Sequence, residues 1–242
     1  MIIIQKVIEE SLRRYPGDGY LRYHARRYSD ILCLLEKKYV KGWRVLDIGR
    51  SKLTEIVNEY FGCKVDTLGL ESDGTVPSGK NYRFDLNKTQ NQQDWRNDIG
   101  AYDIIIFTEV IEHIYTSPKI VLSFLHSIMT HSGYLILQTP NAVALHKRIQ
   151  MLLGNNPFEK IRENNTNPGH YREYTKKEIF DYATATGFAV DIFCYGNYFD
   201  YRYISHVNND CQKNNYLALI NYFYSILPGS LKPGLTFVLK KI

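Results

Sequence analysis

Arg44-Val45-Leu46-Asp47-Ile48-Gly49-Arg50-Ser51 is a short apolar run that ends in a carboxylate, with a glycine two residues further on. Its length and aliphatic content read as a buried strand. A residue without Cβ just past a strand end permits a tight turn and lets backbone approach a ligand closely. Taken alone, the pattern also describes an ordinary turn.

Working outward, residues 64–70, 103–107 and 134–138 are further short apolar runs, separated by helical or polar stretches. That alternation predicts an α/β fold, a three-layer α/β/α sandwich around a mostly parallel sheet. Ile104-Ile105-Ile106-Phe107 is apolar at every position, as a central parallel strand is. Helices are expected over 53–61 and 117–130. Thr175-Lys176-Lys177-Glu178 forms a capping box that opens another, ending at Thr186 before Gly187. Residues 188–195 and 235–240 read as two late strands that pair antiparallel at one edge.

Upstream, residues 3–14 have helical spacing and stop at Tyr15-Pro16-Gly17-Asp18-Gly19. Over residues 20–38, Leu21, His24, Tyr28, Ile31, Leu34 and Leu35 fall on one helical side. Residues 141–174 (a short helix over 142–153, then a polar loop) and the Tyr/Phe-rich 195–227 exceed a minimal core. Loops at the carboxyl ends of strands bind ligands in open α/β sheets, so both are expected substrate walls. The chain is thus expected to be one domain, 1–242. It divides into a helical lid (1–42), a cofactor-binding core (43–140), a substrate-side insertion (141–174) and a C-terminal part of the sheet (175–242).

Composition narrows the class. Hydrophobic residues at 44% and charged residues at 23% match a soluble globular chain, and no apolar run approaches a membrane span. The start, Met1-Ile2-Ile3-Ile4, is too short for a signal-peptide core, which predicts a cytoplasmic protein. Cys33, Cys63, Cys194 and Cys211 are scattered without metal-ligand spacing, so reduced thiols and no metal are expected. Residues 1–44 hold ten Lys/Arg against five Asp/Glu, which accounts for the whole net charge of +5. Such a segment attracts anionic partners or is simply the solvated face of helices.

Glu71 ends the 64–70 run, 24 residues beyond Asp47. An acid about 20 residues after a glycine turn is placed to accept hydrogen bonds from ribose hydroxyls. Phe84-Asp85-Leu86-Asn87 follows the next short strand, where a carboxylate can accept from an adenine amino group. Glycine turn, ribose acid and adenine acid, in that order, describe a cleft for an adenosyl ligand.

These residues resemble the class I S-adenosylmethionine-dependent methyltransferases, in the branch whose fourth strand runs into Glu-Val-x-Glu-His. The matching segments are Tyr102 to Ile114, with Glu109-Val110-Ile111-Glu112-His113, and Gly133 to Asn141, with Thr139-Pro140-Asn141. His170-Tyr171-Arg172-Glu173-Tyr174-Thr175 and Ala185-Thr186-Gly187-Phe188 extend the likeness. The resemblance implies a Rossmann-like, seven-stranded sheet with its last strand antiparallel. It implies S-adenosyl-L-methionine as cofactor and S-adenosyl-L-homocysteine as product. Asp47, Gly49 and Ser51 would line the methionine end, with Arg50 either pairing with the cofactor carboxylate or facing solvent. Glu71 would hold the ribose, Asp85 and Leu86 the adenine, and Glu109 with Val110 would lie beneath the methionine. The usual second and third glycines of the family loop are Ser51 and Leu53 here.

A sulfonium methyl is already activated, so a base is needed only for a hydroxyl acceptor. His113 and His170 are the candidate bases; structural rings are the alternative. Arg27, Asn141, Arg172 and Tyr174 are the expected substrate contacts, with Arg27 beside Arg26, Tyr20 and Tyr23 on the helix before the first strand. The expected reaction is O-methylation of a sugar or other small-molecule or glycan acceptor. A quinone or other aromatic acceptor is the nearest rival. A degenerate, non-catalytic scaffold is the alternative of another class. A nucleic-acid partner is disfavoured by the neutral remainder of the chain, and the sequence is compatible with a homodimer. A nicotinamide dehydrogenase is disfavoured because Gly-x-Gly-x-x-Gly is absent.

Overall fold

The computed structural model describes residues 2–70, 79–164, 169–203 and 217–242. Two helices, α1 (Ile2–Arg14) and α2 (Gly19–Glu36), precede the first strand, β1 (Val45–Ile48). Then come α3 (Lys52–Phe61), β2 (Val65–Gly69), β3 (Asn81–Arg83), β4 (Tyr102–Thr108), α4 (Pro118–Ser127) and β5 (Met129–Pro140). The chain ends with α5 (Leu145–Leu152), α6 (Lys176–Ala185), β6 (Phe188–Gly196), α7 (Ala218–Ile226) and β7 (Gly234–Lys241).

The strands form one seven-stranded sheet in the order β3-β2-β1-β4-β5-β7-β6. All pairings from β3 to β5 are parallel, and β7 runs antiparallel between β5 and β6. The expected sheet, with its last strand antiparallel, is therefore what forms. Strand order reverses at β1: β2 lies on one side and β4 on the other, with Ile48 opposite both Leu68 and Phe107. Such a switch point opens a crevice at the carboxyl ends of the two central strands.

Alternation along the strands divides the core into two layers. Leu46, Ile48, Ile105, Phe107, Leu135 and Phe237 face one side, packed against Val121, Leu122 and Leu125 of α4 and Ile179 of α6. Val45, Ile104, Ile106, Ile136 and Val238 face the other, against Leu21, Tyr28 and Ile31 of α2 and Leu53, Ile56 and Val57 of α3. Each such side chain contributes roughly 1.5–3 kcal/mol through burial.

Local chemistry sets the boundaries. Asp18 caps α2 by accepting from the Leu21 N–H at 2.8 Å. Thr175 and Glu178 form the expected reciprocal capping box on α6. Two elements differ from expectation. Helix α4 ends at Ser127, and β5 begins at Met129, earlier than the apolar pattern suggests. The Thr130 hydroxyl donates to Asp103 at 2.9 Å, so a polar stretch is held in the sheet by side-chain contacts. Helix α5 starts at Leu145 rather than 142, because the Asn141 side chain accepts from the Val143 N–H at 3.2 Å and holds a turn there. No helix among the described residues is long and apolar enough to cross a membrane.

Candidate active site

The crevice at the ends of β1 and β4 gathers most of the residues singled out in the sequence. Gly49 has φ +78°, and a Cβ there would stand 3.1 Å from Val110 Cγ2. Its N–H donates to the Leu68 carbonyl at 3.0 Å, which pins the turn to β2. Ser51, in place of the usual glycine, is the N-cap of α3: its hydroxyl accepts from the Leu53 N–H at 3.2 Å. The Ser51 N–H donates to Thr54 Oγ1 at 3.1 Å, and the Thr54 hydroxyl donates to Asp47 at 2.5 Å. A chain of bonds thus ties the strand-end carboxylate to the helix start. Asp47 is 2% exposed. Burial pushes its carboxyl up to about 7, against the opposing pull of the Thr54 bond and Arg27. Arg50 is half-buried beside this turn.

From the β4 side comes Glu109, a non-glycine residue at φ +55°, whose N–H donates to the Gln138 carbonyl at 2.8 Å. Strain of this kind is held only where surrounding structure over-determines the backbone. Glu109 Oε1 is buried and has no hydrogen-bond partner among the described residues. From α2 comes Arg27, 2% exposed, its Nε and Nη1 equally without a partner among those residues. The guanidinium lies 5.0 Å from the Tyr28 ring centroid and acts electrostatically on Asp47, Glu109 and Glu112. A buried cation with unmet donors is expensive unless a ligand satisfies it. Burial raises Glu109, opposed by Arg27 and Lys147. Burial and the nearby Glu109 raise Glu112 well above the carboxylate range.

Beyond Glu109 the chain makes a tight turn, and Glu112 and His113 meet His170. Glu112 is fully buried; one carboxylate oxygen accepts from the Thr139 hydroxyl at 2.9 Å, and Oε1 has no partner among the described residues. The Glu112 carbonyl accepts from the Tyr171 N–H at 2.8 Å, clamping the 169–174 segment over the strand end. His113 Nδ1 is 2.9 Å from the Gly169 carbonyl, and the two imidazoles meet edge to face at 4.7 Å. His170 Nδ1 is 3.2 Å from a carboxylate oxygen of Glu173, itself in a buried ion pair with Lys147. Burial holds His113 below its ordinary value; burial and the neighbouring His113 bring His170 down to about 4. One ligand atom each from Glu112, His113 and His170 lies within 4.8 Å of the others, a geometry able to hold a metal ion.

The remaining expected residues sit elsewhere. Asp85 caps a short 3-10 turn, accepting from the Asn87 N–H at 2.9 Å, and Leu86 is buried behind it. Glu71 lies outside the described residues. Asn141 is fully buried and spends its amide on backbone, donating to the Ser230 and Lys232 carbonyls at 3.1 and 2.9 Å. Tyr174, 2% exposed, bridges to Asn141 through backbone. Arg172 is exposed and pairs with Glu178 at 2.6 Å. Glu112, Thr54 and the Glu173–Lys147 pair were not singled out from sequence. The Glu109–Glu112 spacing is a signal that could have found the first, whereas no local pattern marks the others.

Among family models, one described as a methyltransferase domain matches residues 20–191, which include every residue of the cleft described above. No curated protein sequence matches the chain. Among solved structures, a SAM-dependent methyltransferase from Archaeoglobus fulgidus is similar with TM-score 0.54 and 17% identity, over 88% of this chain and 94% of that one. The mycolic acid cyclopropane synthase CmaA1, solved with SAH and CTAB, is similar with TM-score 0.58 and 16% identity, over 88% and 83%. The [4+2]-cyclase SpnF is similar with TM-score 0.54 and 12% identity, over 88% and 80%. At these identities the likeness is one of fold.

Proposed function

The chain belongs to the methyltransferase-domain family, and from that premise we propose that it methylates a hydroxyl of a small-molecule or glycan acceptor, with a sugar as the first choice. The methyl donor is S-adenosylmethionine, which when bound supplies an activated sulfonium methyl, leaving the protein to position the acceptor and exclude water.

One observation carries the donor assignment. A buried guanidinium, Arg27, stands beside Asp47 and a Glu109 oxygen at the switch point of the sheet, its Nε and Nη1 and that oxygen all without a hydrogen-bond partner among the described residues. A zwitterionic amino-acid moiety answers both charges: Arg27 takes its carboxylate, and Glu109 and Asp47 take its ammonium. Arg27 thereby moves from the acceptor side to the donor side. Gly49 lets backbone come close, and Leu86 offers an apolar surface to the adenine. Glu71, by its position in the sequence, is the proposed partner of the ribose hydroxyls, and Asp85 of the adenine amino group.

The acceptor side is proposed at the Glu112–His113–His170 group. Each histidine has Nδ1 against an oxygen, so Nδ1 carries the proton and Nε2 the lone pair. With His170 held at about 4, these rings are weak proton acceptors, and their offer to an acceptor is a pair of lone pairs. An aromatic acceptor is the second reading, favoured by the stacked Tyr23–Phe199 pair at 4.8 Å and the Tyr201–Tyr224 pair at 5.5 Å. Mass spectrometry with methyl-labelled donor, against a panel of sugars and a panel of catechols and quinols, separates the two. Label in the sugar panel supports the first reading, and label only in the aromatic panel overturns it.

A further inference from the structure

We propose that a cleft between α4 and the turns after β3, centred on Trp95, is a second carbohydrate site, and that it holds a distal unit of an oligosaccharide whose reacting unit lies at His113 and His170. The acceptor clause rests on the sugar reading above, whereas the cleft does not.

The cleft encloses about 440 Å³, within the roughly 300–1,000 Å³ of small-ligand sites. Its walls include Gln90, Gln92 and Trp95 from the turns after β3, and Lys119 and Ser123 from the first two turns of α4. None of these is a donor-side residue. The indole is fixed by its surroundings. Its Nε1 donates to the Thr89 carbonyl at 2.9 Å, and its ring meets Phe124 edge to face at 5.8 Å. The core thus sets the orientation of a ring that stays only half-buried. A pyranose has an apolar C–H face to lay on an indole and a rim of hydroxyls that both donate and accept. The polar side chains answer that rim. Gln90 donates one amide proton to Thr116 Oγ1 at 3.0 Å, which leaves its oxygen to accept. Ser123 donates to the Lys119 carbonyl at 2.8 Å and keeps its lone pairs, while Gln92 offers both donor and acceptor. No carboxylate is among the described residues that line the cleft, which suits a hydroxyl-rich ligand better than a cation.

A bonded run of residues joins this cleft to the acceptor side. Thr116, which accepts from Gln90, donates its hydroxyl to the Asn87 carbonyl at 3.0 Å. Asn87 Oδ1 accepts from the Tyr115 and Thr116 N–H groups at 2.9 and 3.1 Å. The fixed backbone presents Tyr115, 61% exposed, against Tyr171, 38% exposed, with the rings edge to face at 5.6 Å. Tyr171 directly follows His170, and Tyr115 lies two residues beyond His113. Two exposed rings therefore stand between the histidines and Trp95. A single sugar at the histidines leaves these rings and the cleft uncovered, whereas a chain of linked sugars covers them in turn.

The test is calorimetry on the full chain loaded with S-adenosylhomocysteine, titrated with hexasaccharides and disaccharides of the cello-, malto-, manno- and chito- series. At least one hexasaccharide should bind, about ten-fold or more tightly than its own disaccharide. Gln92→Ala, Tyr115→Ala and Ser123→Arg, whose side chain fills the cleft, should each remove that difference. Retained S-adenosylhomocysteine binding by the variants shows that they fold. In a Trp43→Phe chain, Trp95 is the remaining indole, and its emission should shift with the hexasaccharide and not with the disaccharide. With labelled methyl donor, the cleft variants should raise KM for the hexasaccharide far more than they lower kcat. Absence of binding by every hexasaccharide, or variants that bind them like the parent, overturns the cleft. A hexasaccharide that binds at the cleft while label enters only aromatic acceptors overturns the acceptor clause and supports the cleft. Loss of S-adenosylhomocysteine binding by the parent overturns the donor reading instead.

Discussion

Arg27 and Asp47 face each other from different elements, and their burial makes both sensitive to what fills the cleft. Replacing Arg27 with Ala removes charge-assisted bonds to an anionic ligand, each worth about 1.5–3 kcal/mol. Affinity for S-adenosylhomocysteine should fall about 10- to 100-fold in calorimetry. A raised carboxyl has the opposite pH signature to a salt-bridged one. Asp47 holds its proton to about 7 in the folded chain and loses it near 4 when unfolded, so ligand-free stability declines as pH rises across that window. Asp47→Asn removes this dependence while leaving an acceptor for Thr54. Urea denaturation should show the variant gaining on the parent by up to about 1.4 kcal/mol per pH unit between pH 4 and 7. A variant that loses ground to the parent as pH rises would contradict the assignment. At Gly49, alanine meets both the positive φ and Val110, so Gly49→Ala should lose roughly 1–3 kcal/mol of stability. Its ligand affinity should fall as well.

At the scale of elements, the start of α3 explains how a glycine-poor turn still works. Ser51 serves as a cap with extended backbone, φ −150°, so a second glycine is not needed there. Ser51→Ala should destabilise the fold by about 1 kcal/mol, whereas Ser51→Gly should cost only a few tenths. Thermal melts of the two variants check this ordering. Strands and helices were legible in the sequence wherever a period or a cap was strong. The apolar run at Ile104–Phe107 and the Thr175–Glu178 box are examples. The early start of β5 was not legible, because Thr130, His131 and Ser132 are polar and lie where the register shifts between the Met129–Tyr102 and Tyr134–Ile104 pairs, with the Thr130–Asp103 bond holding the stretch. The crevice was legible from strand ends, since each parallel strand of this topology delivers its last residues to one side of the sheet. A polar residue at a strand end, such as Asn141, reads the same whether it faces a ligand or closes on backbone. Its bonds to the Ser230 and Lys232 carbonyls, some 90 residues away along the chain, follow from no local pattern.

For the whole molecule, the sheet reverses direction of growth at β1, and α2, β4 and the 169–174 segment converge on that point. A buried arginine, Arg27, and the acids Asp47, Glu109 and Glu112 thus gather at one point, although they are distributed over more than 80 residues of sequence. Ligand binding at such a point should stabilise the entire fold, by about 2.7 kcal/mol at a ligand concentration 100 times the dissociation constant. The central claim is that the β1/β4 crevice binds S-adenosylmethionine through Arg27. Isothermal calorimetry with S-adenosylhomocysteine, on the parent and on Arg27→Ala, tests it most directly. One-site binding by the parent, weakened at least ten-fold in the variant, is the predicted result; no binding by the folded parent, or equal binding by both, would contradict it.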